Sequence, residues 1–237
     1  MNRIYQEITE HLHSLAHPKT AEHSQRFFKT GEGEYGFGDK FLGIRVPVIR
    51  KTVKKFKAAP LDVIVSLLKS EYHEIRLCAL LMLVARFSRA SDDEQSEIYQ
   101  IYLNHTQYVN NWDLVDSSSH HILGAYLDGR DRSILYDLSK SASLWERRIA
   151  IISTYYFINK KNQFNDTLQI SEQLLSDQEE LIHKAVGWML REVGKRDLAT
   201  EVDFLKSHYQ QMPRTMLRYA IEKFDPSERQ KYLRGEV

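Results

Sequence analysis

One recurring pattern constrains this chain more than any other feature. A basic residue followed by an apolar helical run appears at Arg76, Arg148, Lys184 and Arg218, and Asp116 with three serines fills the gap between the first two. Successive slots (76, 116, 148, 184, 218) lie 40, 32, 36 and 34 residues apart. Apolar residues around them follow the helical period, and two-residue alternation is scarce. One such interval holds two helices, which bury their apolar faces only by stacking on neighbouring intervals. The spacing therefore predicts a stack of two-helix units whose equivalent residues form a row.

Helical stretches are predicted over residues 2–16, 19–29, 46–57, 61–69, 73–87, 92–103, 111–127, 134–140, 144–159, 163–175, 181–193, 199–210 and 213–224. Breakers separate them at His17-Pro18, Ala59-Pro60, Asp128-Gly129, Met212-Pro213 and Asp225-Pro226. The expectation is an all-α chain, residues 1–237 forming a single domain of HEAT-like repeats wound into a solenoid with a concave face. With 42% apolar and 27% charged residues a core is affordable, and only 10 Gly and 5 Pro argue against a turn-rich all-β fold. The single cysteine, Cys78, excludes a disulfide framework and reads as a small core residue. No charged-then-apolar leader opens the chain, and the longest apolar run, 77–85, is far short of a membrane span. A cytoplasmic location is expected. The near balance of 33 basic and 32 acidic residues gives no bulk signal for nucleic acid.

The slot residues gain chemistry from their neighbours. Trp112 stands four residues before Asp116 and Trp188 four after Lys184, so each pair shares a helix face. Trp145 precedes Arg148 by three, although a core role is the simpler reading for it. Units stacked in register would bring Trp112, Asp116, Arg148, Lys184 and Trp188 into one cleft. A carboxylate between indoles, beside a guanidinium and an ammonium, suits a cationic group carried on a phosphate backbone. The acid-free basic segment Arg45, Arg50, Lys51, Lys54, Lys55 and Lys57 would extend that footprint, or would simply be a solvated helix face.

Other patterns carry less. Gly31-Glu32-Gly33-Glu34-Tyr35-Gly36 matches a dinucleotide fingerprint in letters only, with two acids where pyrophosphate would sit and no strand before it. It reads as a flexible loop able to approach a partner's backbone closely. His11, His13 and His17 have no second ligand cluster nearby, and adjacent His120 and His121 face different ways on a helix, so no metal is expected. Ser117, Ser118 and Ser119 lack a nucleophile-elbow context.

Taken together, 27–36 (FFKTGEGEYG), 39–47 (DKFLGIRVP), 111–117 (NWDLVDS), 145–148 (WERR) and 184–192 (KAVGWMLRE) resemble the AlkD-like DNA alkylation repair proteins, in order and over essentially the whole chain. The resemblance implies a HEAT-like solenoid acting as a monofunctional DNA glycosylase on positively charged N-alkylated purines such as 3-methyladenine and 7-methylguanine. It implies no cofactor, duplex DNA bearing alkylated bases as partner, and a monomer. On this resemblance Asp116 matches the catalytic carboxylate, Trp112 and Trp188 the cleft tryptophans, and Arg148 the phosphate-binding arginine. Phe27 replaces an aromatic that is often Tyr, with loss of a hydroxyl contact. Lys184, Phe27, Lys40, Arg45, Lys51, Lys54 and Arg218 are the expected DNA contacts. Two other readings keep the solenoid but not the chemistry: a non-catalytic binder of damaged or branched DNA, and a protein-interaction array.

Overall fold

The structure, a computed structural model describing residues 2–237, is all-helical. Its only β feature among the described residues is an isolated parallel bridge between Lys40 and Tyr72. The chain packs as two compact units that divide after Ser118.

The first unit holds α1 (Arg3–Ser14), α2 (Pro18–Phe27), α3 (Val46–Lys55), α4 (Leu61–Leu68), α5 (His73–Phe87), α6 (Asp92–Leu103) and the short α7 (Trp112–Asp116). Local chemistry starts several of them. The His17 ring accepts the Thr20 N–H at 3.2 Å with Pro18 at the first helical position, and the Ser91 hydroxyl caps α6 by accepting from Glu94. Helix α5 is the centre of the unit. Every residue from His73 to Leu83 is buried, so it lacks a solvent face and packs against α3, α4, α6 and α7. Glu74 on α5 turns its carboxylate onto the N–H groups of Leu42, Gly43 and Ile44, at 2.8, 2.7 and 3.2 Å. That bond set fastens the loop between α2 and α3 to the start of α5.

The second unit begins with a π-helical segment (His120–Gly124) and continues through α8 (Ser133–Leu138), α9 (Leu144–Ser153), α10 (Tyr155–Lys161), α11 (Asn165–Gln173), α12 (Glu180–Gly194), α13 (Leu198–His208), α14 (Arg214–Ala220) and α15 (Pro226–Arg234). Helix α12 is central here and packs on α9, α10, α11, α13 and α14. Gly187 on α12 lies so close to the Met216 carbonyl and Tyr219 of α14 that a Cβ would collide with both. Gly124 meets the Ser153 carbonyl in the same way. These glycines set how closely the helices approach. No helix among the described residues is long and apolar enough to cross a membrane.

Three stretches depart from the sequence expectation. The continuous helix expected over 111–127 breaks after Asp116. The Ser118 hydroxyl bonds back to the Leu114 carbonyl at 2.5 Å and meets the Tyr102 hydroxyl at 2.9 Å, a local alternative to the helical ladder, and the chain resumes with π geometry. The helix expected over 144–159 is interrupted at Thr154, whose hydroxyl bonds the Ile151 carbonyl at 2.7 Å. The missed helix is α15, which buries little besides Tyr232 and so has no apolar stripe to read, while Pro226 opens it rather than breaking the chain.

Candidate functional site

In the first unit, Trp112 and Asp116 stand at the two ends of α7, both half-buried. The Asn111 side chain caps the helix by accepting the Trp112 N–H at 2.9 Å. Phe28 stacks on the Trp112 ring at 5.3 Å and 22°, and Phe27 meets the same ring edge-on at 6.0 Å. Phe27 itself is 58% exposed, so an aromatic face stays open beside the indole. The buried Tyr102 hydroxyl is held protonated, first by burial and then by the nearby Asp116 charge.

Beneath Trp112 lies a column of rings and charges. His73, 2% exposed, stacks on Phe41 at 4.6 Å and meets Phe28 at a tilt at 4.9 Å, the two phenyl rings themselves stacked at 5.1 Å. Its Nδ1 meets the Asp39 carboxylate at 3.2 Å and its Nε2 meets Asp113 at 2.9 Å. Burial works to lower the pKa of this imidazole, but the bonds to Asp113 and Asp39 win and raise it to about 9, making it an imidazolium at neutral pH. Asp39 also accepts from Arg76 at 2.6 Å. Its carboxyl is held below the usual range, because the His73 and Arg76 interactions outweigh the opposing effect of burial. Asp113 spends its other oxygen on the Leu114 N–H at 2.9 Å, inside α7.

Arg76 corrects part of the expected row. It is 3% exposed and locked to Asp39 and the Ser70 carbonyl, so the first slot residue is a core ion-pair member rather than a surface cation. Lys40 is exposed but paired with Glu71 at 2.6 Å. Arg45, Arg50, Lys51, Lys54, Lys55 and Lys57 are all exposed on and around α3, with no acid among them in sequence. They form a positive strip on this unit.

In the second unit, Arg148 on α9 is buried at 5% exposure and donates through Nη1 to the Leu181 carbonyl at 2.5 Å. Its neighbour Arg147 is held by Asp177 at 2.6 Å. Lys184 and Trp188 share a face of α12 as their spacing predicts. Lys184 pairs with Glu180 at 3.0 Å, and the Trp188 indole N–H donates to the buried Glu192 at 3.3 Å. Tyr155 packs against Trp188 at 6.1 Å and meets His120 edge-on at 5.2 Å, with His121 beside His120 at 3.8 Å. This ring row runs from the π segment to α12. Trp145 is half-buried on α9, and Arg218 is exposed on α14.

The four-residue spacings of Trp112 with Asp116 and of Lys184 with Trp188 place each pair on one helix, as the sequence predicts, but the packing of Phe28, His73, Asp39 and Asp113 at α7 is not legible in it. The bonds from His73 to Asp39 and to Asp113 span 34 and 40 residues, and no local period encodes them.

A family model described as DNA alkylation repair enzyme matches residues 8–224. Two solved structures are similar in fold. One is a predicted DNA alkylation repair enzyme from Enterococcus faecalis, 17% identical, covering 89% of this chain and 97% of its own, with a TM-score of 0.67. The other is the smu.31 protein of Streptococcus mutans, 16% identical, covering 94% of this chain and all of its own, with a TM-score of 0.53. Comparison with curated proteins finds no match.

Proposed function

The chain belongs to the DNA alkylation repair enzyme family, and from that premise we propose that it is a DNA glycosylase releasing cationic N-alkylated purines from duplex DNA. The observation that carries this reading is helix α7, which holds an indole and a carboxylate at its two ends under a cap and a stacked ring.

The chemistry asks for one carboxylate. An N3- or N7-alkylated purine already carries positive charge, so the N-glycosidic bond breaks with its electron pair passing to the base, which departs neutral without a general acid. Positive charge then develops on the deoxyribose. Asp116 stabilises that charge and orients the water whose oxygen bonds to C1′, the water's proton leaving to solvent or carboxylate. Trp112 and Trp188 present π faces that favour the cation by about 0.5–2 kcal/mol each. Lys184 holds a phosphate, Phe27, Lys40, Arg45, Lys51, Lys54 and Arg218 complete the contact with the duplex, and Arg148, buried on the Leu181 carbonyl, braces the start of α12. Neutral lesions such as uracil or hypoxanthine are poor substrates, because no group in this set protonates a leaving base. The protein acts as a cytoplasmic monomer, its repeats serving as one DNA-binding domain.

The test is single-turnover base release by wild type and Asp116→Asn, with duplex binding measured on the same samples. Loss of a preorganised electrostatic stabiliser slows release by about 10²–10³-fold, roughly 3–4 kcal/mol of barrier, while binding is kept. Equal release rates would remove Asp116 from the chemistry. Binding by both proteins with release by neither would favour the non-catalytic DNA binder.

A further inference from the structure

We propose that His73 is the positioning residue of this site: clamped between Asp39 and Asp113, it fixes α7 and thereby sets where Trp112 and Asp116 stand. The proposal rests on the glycosylase reading for its consequence, but its structural content is independent of it.

Two contacts run from His73 to the same five-residue helix, and a third anchors His73 itself. A helix this short has few ladder bonds of its own and depends on its surroundings for its position. Asp113 supplies that dependence, because one carboxylate oxygen stays inside α7 on the Leu114 N–H and the other reaches out to His73 Nε2. The second contact passes through rings. Phe28 touches both rings, meeting His73 at a tilt and stacking on Trp112, so one phenyl ring links the imidazole to the indole. The third contact is the anchor. Asp39 holds Nδ1 from the loop fastened to α5, and is itself held by Arg76 of α5.

A buried ring bonded at both nitrogens and stacked on Phe41 cannot turn about χ2 without breaking a charge-assisted bond. His73 therefore transmits the rigidity of α5 to α7. Neither Gln nor Phe reproduces the arrangement. Gln donates from one nitrogen only, and Phe leaves both carboxylates without their partner.

The experiment compares wild type, His73→Gln and Asp113→Asn in single-turnover base release at saturating protein. Duplex affinity and indole ¹H–¹⁵N spectra are recorded on the same samples, with Trp112 assigned by the signal lost in Trp112→Phe. Loss of folded protein to below the DNA concentration lowers the amplitude, whereas misplacement of α7 lowers the rate constant. Both variants are expected to lower the rate constant about tenfold to a hundredfold. Amplitude should be near that of wild type, affinity within about twofold, and the double variant no slower than either single one. The Trp112 indole signal shifts in both variants and that of Trp145 does not. In wild type at pH 7.5, His73 shows protons on both ring nitrogens.

Wild-type rate constants in both variants, or a loss confined to amplitude, would overturn the proposal while leaving the glycosylase reading intact. If wild type releases no base, the glycosylase reading fails and the spectra decide alone. A shifted Trp112 signal then supports the clamp, and an unmoved signal or a singly protonated His73 ring overturns it.

Discussion

A buried carboxyl group from each unit meets an opposite fate. In the first, the His73 imidazolium sits between Asp39 and Asp113, and Asp39 is held again by Arg76. In the second, Glu201 on α13 is only 2% exposed, yet its Oε1 has no hydrogen-bond partner among the described residues. Its carboxyl occupies the space that a side chain at Gly194 would need. Burial pushes its pKa up to about 8, with the Arg191 charge opposing only in part. Buried ions in the first unit are a framework for α7. Glu201 of the second, unlike Glu192 with its Lys195 and Arg196 partners, is a local liability on a helix that carries none of the candidate site residues. Burial alone does not mark a functional charge; what distinguishes the two is whether the partners lead to the site.

Removing one partner from the framework sharpens this contrast most. Asp39→Ala leaves His73 and Arg76 buried without their shared carboxylate and should destabilise the protein by about 3–5 kcal/mol in urea unfolding. A loss below about 1 kcal/mol would mean that the network is not load-sharing at all. Glu201→Gln should act with the opposite sign. At pH 8.5 it spares a buried carboxylate with an unpartnered oxygen and gains about 1–3 kcal/mol, and near pH 4.5 the gain vanishes because the native carboxyl is already protonated. Destabilisation at pH 8.5 would erase the distinction between the units.

The pH profile of wild-type stability separates the same two groups. His73 has a raised native pKa, so its contribution is complete below about 6.5, declines above that value and is lost as pH passes about 9. Glu201 also has a raised native pKa, and for an acid this is a penalty that appears above about 4.5 and is complete above about 8. Thermal midpoints should therefore fall with rising pH in two overlapping windows, and Glu201→Gln should remove the lower one. A single window unaffected by that substitution would contradict the assignment.

Salt dependence gives the smallest effect. Lys51→Ala and Lys54→Ala on the acid-free α3 strip should each reduce the slope of log affinity for duplex DNA against log salt by about 1. Lys184→Ala should reduce it less, because Glu180 already lies 3.0 Å from that ammonium. A larger change at Lys184 would place the main phosphate grip on the second unit.

Much of this was legible in the sequence where the determinants are local. The bounds of α5 and α6 fall at His73–Phe87 and Asp92–Leu103, as helical periodicity predicts. The shared faces of Trp112 with Asp116 and of Lys184 with Trp188 follow from helical spacing. What stayed hidden depends on tertiary partners. The break after Asp116 needs the Tyr102 hydroxyl beside Ser118, and residues 111–127 otherwise read as one amphipathic run. Arg76 looks in sequence like the other slot cations, and only Asp39, 37 positions earlier, turns it inward. His73 opens an apolar helix with nothing nearby to suggest that both its nitrogens are engaged.

The most direct measurement is chemical identification of what the protein releases from methylated duplex DNA. Wild-type protein is incubated with DNA carrying N-methylpurines beside uracil, and free bases are separated by chromatography and counted against a protein-free control. The account predicts release of 3-methyladenine or 7-methylguanine well above the control, with uracil at background. Release of uracil at a comparable rate, or no release above background from DNA that the protein demonstrably binds, would contradict it.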